Sequence, residues 1–333
     1  MNTNPFTTAH FTSTGAPHGP RPGQDQPQVD GDGPTHAAGE RALVLGGGGS
    51  AGNAWVIGVV AGLVDAGLDV TDADLVVGTS SGSTAGAVLT SGARPADLLA
   101  GILAAAPQHQ PGPGGSDRGR VPSSRPAPDH LARTSAVIAA AEGPADMRRR
   151  LGAAALDLEA ASDGSGQARW RATVAARLPG QRWPERRLLI VAVDARTGNP
   201  VVFDRHSGVD LVDAVAASCS SGPPYGIGDD WFIDGGYRRS SENADLAAGY
   251  RRVLVLSPFG GRTRAPLDWN MHLAAQVDEL RAGGSRVETV LPDGNARDAF
   301  GGNMMDLSRR PPAARAGYDH GRALAEQLTG FWR

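Results

Sequence analysis

Residues 75–89 read LVVGTSSGSTAGAVL. The apolar run Leu75-Val76-Val77 enters the turn Gly78-Thr79-Ser80-Ser81-Gly82 and leaves it into small residues that coil readily into a helix. A strand that meets a helix through Gly-x-Ser-x-Gly has the pattern of a nucleophile elbow, in which a sharp strained turn lifts the central side chain off the sheet. The flanking glycines keep neighbouring atoms from colliding there. Ser80 is therefore the candidate nucleophile, with Thr79, Ser81 and Ser83 as bystanders. The Ser81 backbone N–H would point at an oxyanion developing beside Ser80.

The same alternation continues on both sides. RALVLGGGG (41–49) is a strand entering a glycine turn, and NAWVIGVVAGLVDAG (53–67) is a helix apolar on most faces, as a buried helix is. Helical patterns cover 95–106, 130–142 and 145–161. RRLLIVAVDA (186–195) and NPVVFD (199–204) read as strands joined through Thr197-Gly198-Asn199. A short helix is expected over 209–218, strands over 230–236, 251–259 and 285–292, an amphipathic helix over 267–284, and a closing helix over 311–331. Strands alternating with helices predict an α/β fold with a mostly parallel central sheet covered on both faces, a three-layer α/β/α arrangement.

Two more glycine turns follow strands. Gly46-Gly47-Gly48-Gly49-Ser50-Ala51-Gly52 contains a G-x-G-x-x-G match and opens a helix, so its N–H groups converge as an anion cradle. Without a following Lys it is not a P-loop, and a turn that merely needs positive φ has the same composition. WFIDGG (231–236) sets Asp234 at a strand end, where active sites gather in parallel sheets. Beside a serine hydroxyl, Asp234 would accept its proton directly; alone, it would equally be a turn-closing carboxylate. Of the eight histidines, His206 is the best placed for a serine–histidine arrangement, although each has an ordinary structural reading.

The chain has 333 residues and a net charge of −3, so no strong field invites nucleic acid. The single cysteine, Cys219, excludes a disulfide framework and reads as a packing residue. Residues 1–39 have the composition of a disordered tail, and 107–129 that of a flexible loop within the domain that runs over 40–333. The helices flanking that loop, LLAGILAAA and HLARTSAVIAAA, are expected to supply an acyl groove. The N-terminus lacks the basic-then-apolar pattern of a secretory signal, and no apolar run reaches about 18 residues. A cytoplasmic protein is the expectation.

Taken in order, the glycine cradle, the serine elbow and the Asp-Gly-Gly turn resemble the patatin-like phospholipase family, lipid acyl hydrolases with a Ser–Asp dyad and no histidine. LIVAVDARTGNPVVF (189–203) is similar to the family's core strand pair, and LVDAVAASCSSGPPYGI (211–227) to the segment that precedes the strand bearing the aspartate. The resemblance, over about residues 40–328, implies a patatin-like fold, Ser80 as nucleophile, Asp234 as base, and an oxyanion hole from Gly47, Gly48 and Gly49 beside Ser81. It implies no metal or cofactor. The expected partner is a lipid or other acyl-ester substrate, with transient contact at a membrane surface.

Two departures stand out. Ala51 occupies the position where the family commonly has Arg or Lys, and YRRSSENADLAAG follows the Asp-Gly-Gly where an Asp-Asn-x-Pro is usual, with Asn243-Ala244-Asp245 as a displaced counterpart. Two other classes stay open: a catalytically weak lipid-binding or regulatory protein, supported by Ala51, and a dinucleotide-binding oxidoreductase. The latter needs an acid at the end of the next strand, whereas Asp69 and Asp72 precede it.

Overall fold

The computed structural model describes residues 39–105 and 128–333. The expected tail and internal loop fall outside the described residues, except at their edges. Gly39 is the first residue of a strand, and Pro128 and Asp129 begin a helix. The elements are β1 (Gly39–Leu45), α1 (Gly49–Asp65), β2 (Leu75–Thr79), α2 (Ser81–Leu89), α3 (Pro95–Ala104), α4 (Pro128–Ala139), α5 (Pro144–Ala160) and α6 (Ser165–Ala175). They continue with β3 (Arg187–Asp194), β4 (Pro200–Phe203), α7 (Leu211–Ser218), β5 (Tyr225–Ile227) and β6 (Asp230–Asp234). The last are β7 (Tyr250–Leu256), α8 (Leu273–Ala282), β8 (Arg286–Val290), α9 (Gly294–Phe300) and α10 (Arg310–Trp332).

The sheet runs β5-β6-β3-β2-β1-β7-β8, with β4 also paired to β3. The five strands β3, β2, β1, β7 and β8 are parallel, and β4, β5 and β6 add antiparallel pairs at one side. This is the three-layer α/β/α arrangement with a mostly parallel sheet. Side-chain alternation divides the core. Leu43 and Leu45 of β1 join α1, α2, α3, α7 and α10 on one face, while Ala42 and Val44 join α8 on the other. A third cluster packs α4 and α5 against Val193 and Ile233. The helices α3 and α4, expected to line one groove, thus pack on opposite faces of the sheet.

Local chemistry explains where the elements depart from expectation. The amphipathic pattern over 267–284 yields a helix only from Leu273, because Pro266 starts a separate single turn that ends at Asn270 in the left-handed region, φ 52°. The helix α6 has a polar, weakly periodic sequence, SGQARWRATVA, and was not legible; only Val174 within it is buried. Among the described residues, no helix is long and apolar enough to cross a membrane.

The buried helix α1 lies between the sheet and α10, and the two helices touch backbone to backbone. A Cβ on Gly58 or Gly62 would lie 2.1 or 2.2 Å from the Ala314 or Tyr318 carbonyl oxygen, and one on Gly317 or Gly321 would lie 2.3 or 2.2 Å from that of Trp55 or Val59. The four-residue spacing keeps each glycine pair on one helix face. Gly321→Ala is expected to cost about 3 kcal/mol, because neither backbone can yield without separating the helices. Gly330, with nothing within 4 Å of its would-be Cβ, is the control: Gly330→Ala should be neutral or stabilise by up to about 1 kcal/mol, through helix propensity. Urea denaturation of the two variants checks both signs.

Candidate active site

Strand β2 delivers Ser80 at its carboxyl end, between Thr79 and the first residue of α2. Ser80 has φ 51° and ψ −126°, a conformation that L residues rarely adopt and that is kept only where the surroundings enforce it. The surroundings are backbone. A Cβ on Gly82 would meet the Leu45 carbonyl oxygen at 2.0 Å, and one on Gly78 would meet Ser83 Cα at 2.6 Å. The Ser80 N–H donates to Ser218 Oγ at 2.9 Å, and its carbonyl accepts the Ser83 N–H (2.8 Å) and hydroxyl (2.6 Å).

Strand β6 ends at Asp234, beside β3. Gly235 follows because a Cβ there would sit 2.1 Å from the Val191 carbonyl oxygen. The turn brings Asp234 Oδ2 to 2.7 Å from Ser80 Oγ, which donates to it, while Oδ1 accepts the Gly236 N–H at 2.8 Å. Asp234 is 8% exposed. Burial pushes its carboxyl up to about 6, against the opposing pull of the Gly236 and Ser80 hydrogen bonds and of the Arg264 charge. A carboxylate so placed can accept a hydroxyl proton, and a pKa near 6 makes it a stronger base than an exposed aspartate.

The glycine turn lies against the elbow, with the position of a Gly47 Cβ only 3.2 Å from Ser80 Cβ. The structure differentiates its N–H groups. That of Gly47 is taken by the Ser241 carbonyl (2.8 Å), and that of Gly48 by Ser81 Oγ (2.9 Å). Those of Gly49 and Ser81 have no partner among the described residues. The Gly47 peptide is thus tied to the 240–243 loop, and a side chain on it would crowd Ser80. Ala51 leaves no cation on this turn, and its N–H bonds the Met304 carbonyl at 2.9 Å. The guanidinium that does touch the turn comes from Arg310, through the Ser50 carbonyl at 3.1 Å.

Three positioning side chains escaped the sequence reading as individual residues. Ser218 lies in the 211–227 segment, Asn53 in α1, and Asn243 in the displaced Asn-Ala-Asp. Asn243 is fully buried at φ 51° and donates from Nδ2 to Thr79 Oγ1 (3.1 Å) and the Gly235 carbonyl (3.0 Å), so it ties the elbow to the acid turn. The motif signalled it, but its bonding partners lie far away in sequence.

The remaining candidates stand elsewhere. His206 is exposed in the turn after β4, where its N–H donates to Asp204, and the adjacent Arg205 reaches Glu185 just before the start of β3. That is the end of the strands opposite to Ser80. Asp72 pairs with Arg41 and accepts the Trp332 N–H, and Asp69 accepts from Thr71, so neither acid faces the glycine turn. The Cys219 thiol, beside the Ser83 and Thr84 hydroxyls, is pushed up to about 11 by desolvation and stays protonated at neutral pH.

No curated protein sequence matches the chain. Two solved structures are similar to it: VipD from Legionella pneumophila, 12% identical over 88% of this chain and 67% of that one, and the type III effector protein ExoU, 15% identical over 88% and 53%. The TM-score is 0.37 in both cases, so the likeness is loose, and the chain spans only about half the length of ExoU. The model of the patatin-like phospholipases matches residues 43–248, which hold the glycine turn, Ser80 and Asp234. The chain belongs to the patatin-like phospholipase family, a family of lipid acyl hydrolases.

Proposed function

We propose that the protein is a serine acyl hydrolase that cleaves carboxylic esters of lipids, of the phospholipase A or lysophospholipase type, through Ser80 and Asp234. The observation that carries this reading is the 2.7 Å hydrogen bond from Ser80 Oγ, on a strained elbow, to a buried carboxylate. Ser80 Oγ attacks the ester carbonyl carbon while Asp234 Oδ2 takes its proton. The tetrahedral oxyanion is received by the N–H groups of Gly49 and Ser81, each donor worth about 3 kcal/mol in comparable hydrolases. The Gly48 N–H joins them once the Ser81 hydroxyl rotates away. Collapse expels the alcohol, which takes the proton from Asp234 and leaves Ser80 acylated. Water, deprotonated by Asp234, then attacks the acyl-enzyme, and the fatty acid departs as the Ser80 oxygen takes that proton back from Asp234. The strained serine held against a buried carboxylate favours turnover over a lipid-binding role without it.

Ser80→Ala is expected to lower hydrolysis of a short p-nitrophenyl ester by at least about a thousandfold, with Asp234→Asn comparable and His206→Ala close to wild type. Labelling by a fluorophosphonate probe should require Ser80. Near wild-type turnover in folded Ser80→Ala would remove this reading, and a dead His206→Ala beside an active Asp234→Asn would replace the dyad by a histidine mechanism.

The pH profile is a second test. The reactive form is the carboxylate, so kcat/KM should rise as pH increases through about 6 and level above it. The same raised pKa opposes stability. Between pH 3.8 and about 6 the folded state holds a proton that the unfolded state releases, so stability falls as pH rises through that window. Above it the charge costs about 3 kcal/mol. Asp234→Asn should therefore raise the Tm at pH 7 while abolishing activity, and the gain should shrink as pH is lowered toward 4. A lower Tm at pH 7 would contradict the charge-burial argument.

A further inference from the structure

The family match ends at residue 248, yet the chain beyond it returns to the glycine turn. The segment 301–310 runs along the first turn of α1, where the Met304 carbonyl accepts the Ala51 N–H and the Met305 sulfur lies 2.8 Å from the position of a Gly49 Cβ. At its end, Arg310 Nη1 donates to the Ser50 carbonyl and to Asn53 Oδ1, both at 3.1 Å. Asn53 is buried, and its other end donates from Nδ2 to the Ser81 carbonyl at 3.1 Å.

An asparagine amide is nearly symmetric in shape but not in chemistry: one end only accepts, the other only donates. A guanidinium only donates. Arg310 therefore obliges Asn53 to present Oδ1 to it and Nδ2 to Ser81. Among the described residues no carboxylate pairs with Arg310. Burial, with the Arg177 charge adding to it, draws its pKa down to about 10, so it remains a cation at neutral pH.

We propose that Arg310 is a positioning residue for the hydrolysis: by orienting the Asn53 amide it aligns the glycine turn with Ser81, whose N–H faces the oxyanion. The proposal rests on the hydrolase reading above. Ser81 is gripped on two sides. Ser83 holds the Ser80 carbonyl, on the same peptide unit as the Ser81 N–H, and Asn53 holds the Ser81 carbonyl. The first grip is local to the elbow. The second depends on a side chain 257 residues away from Asn53 in sequence, outside the family match.

The test uses the full chain with Arg310→Met, Arg310→Lys and Asn53→Ala, and reads ester kinetics, Tm and amide hydrogen exchange together. Arg310→Met is expected to lose about 30-fold in kcat with KM little changed, as misalignment at a reacting centre does. Exchange in peptides covering 46–53 and 80–85 should quicken by about tenfold, with the Tm held within a few degrees. Arg310→Lys should recover most of both losses, because an ammonium can donate to the same two oxygens. The double variant Arg310→Met/Asn53→Ala should be no worse than either single change, since one relay carries both effects. If Arg310→Met does not fold, Asn53→Ala carries the same exchange test. Wild-type exchange and kcat in either variant, or additive losses in the double, would overturn the relay. Faster exchange in the variants of a protein whose wild-type form ignores the fluorophosphonate would retire the hydrolase reading and with it the role in hydrolysis, leaving only the structural relay from Arg310 through Asn53 to Ser81.

Discussion

The Leu45 carbonyl oxygen stands 2.0 Å from the place where a side-chain carbon on residue 82 would begin. Only glycine lets α2 start that close to the exit of β1. The contact forces the chain to turn sharply between β2 and α2, and Ser80 bears the turn at φ 51°. The strain is held by close backbone approach and by hydrogen bonds, with the Ser218 hydroxyl on the Ser80 N–H and the Ser83 N–H and hydroxyl on its carbonyl. Because β1 and β2 are neighbours in register, with Leu45 opposite Gly78, the glycine turn that leaves β1 necessarily falls beside the elbow that leaves β2. The third turn follows from the antiparallel register of β6 on β3, which sets Asp234 opposite Ala192 and within reach of Ser80.

Two buried carboxylates near this junction are treated differently. Glu242 is fully buried and receives three hydroxyls, from Ser241 and Ser257 on one oxygen and Ser240 on the other, at 2.6 to 2.7 Å. Its neighbours Ser241 and Asn243 tie the glycine turn, Thr79 and the acid turn together. Asp234 receives one backbone N–H on Oδ1, and on Oδ2 only the Ser80 hydroxyl. A carboxylate whose oxygens are all engaged by fixed donors braces a loop. At Asp234 the second oxygen meets a single hydroxyl proton, that of Ser80, and this is the proton the proposed chemistry moves.

The chain beyond the family match belongs to the same body. Strand β7 lies between β1 and β8, and α10 meets α1 through reciprocal glycines. That backbone contact sets how deeply the start of α10 can approach the first turn of α1, and so where Arg310 and the 301–310 segment fall. The cation that the first turn lacks at Ala51 is thereby met from the opposite end of the chain.

Motifs with local causes were legible in the sequence. Apolar runs located every parallel strand, and for β1 and β2 the glycine turn that follows as well, since a buried strand and its turn are written in consecutive residues. Gly78-x-Ser80-x-Gly82 and Asp234-Gly235-Gly236 marked the two side chains that the structure brings into hydrogen-bond contact, because the glycines are needed within two residues of the groups they accommodate. What the sequence left open depends on partners distant along the chain. It could not distinguish a Gly47 N–H taken by Ser241 from a Gly49 N–H left without a partner, since both sit in one run of four glycines. Nor did it show that α3 and α4 pack on opposite faces, that α6 is a helix at all, or that Ser218, Asn53, Asn243 and Arg310 converge on the three turns. The residues alone marked the family and the candidate chemistry of the chain. Tertiary structure decided which donors face it, because a hydrogen bond goes to whichever group the packed backbone brings within 3 Å, whatever its place in the sequence.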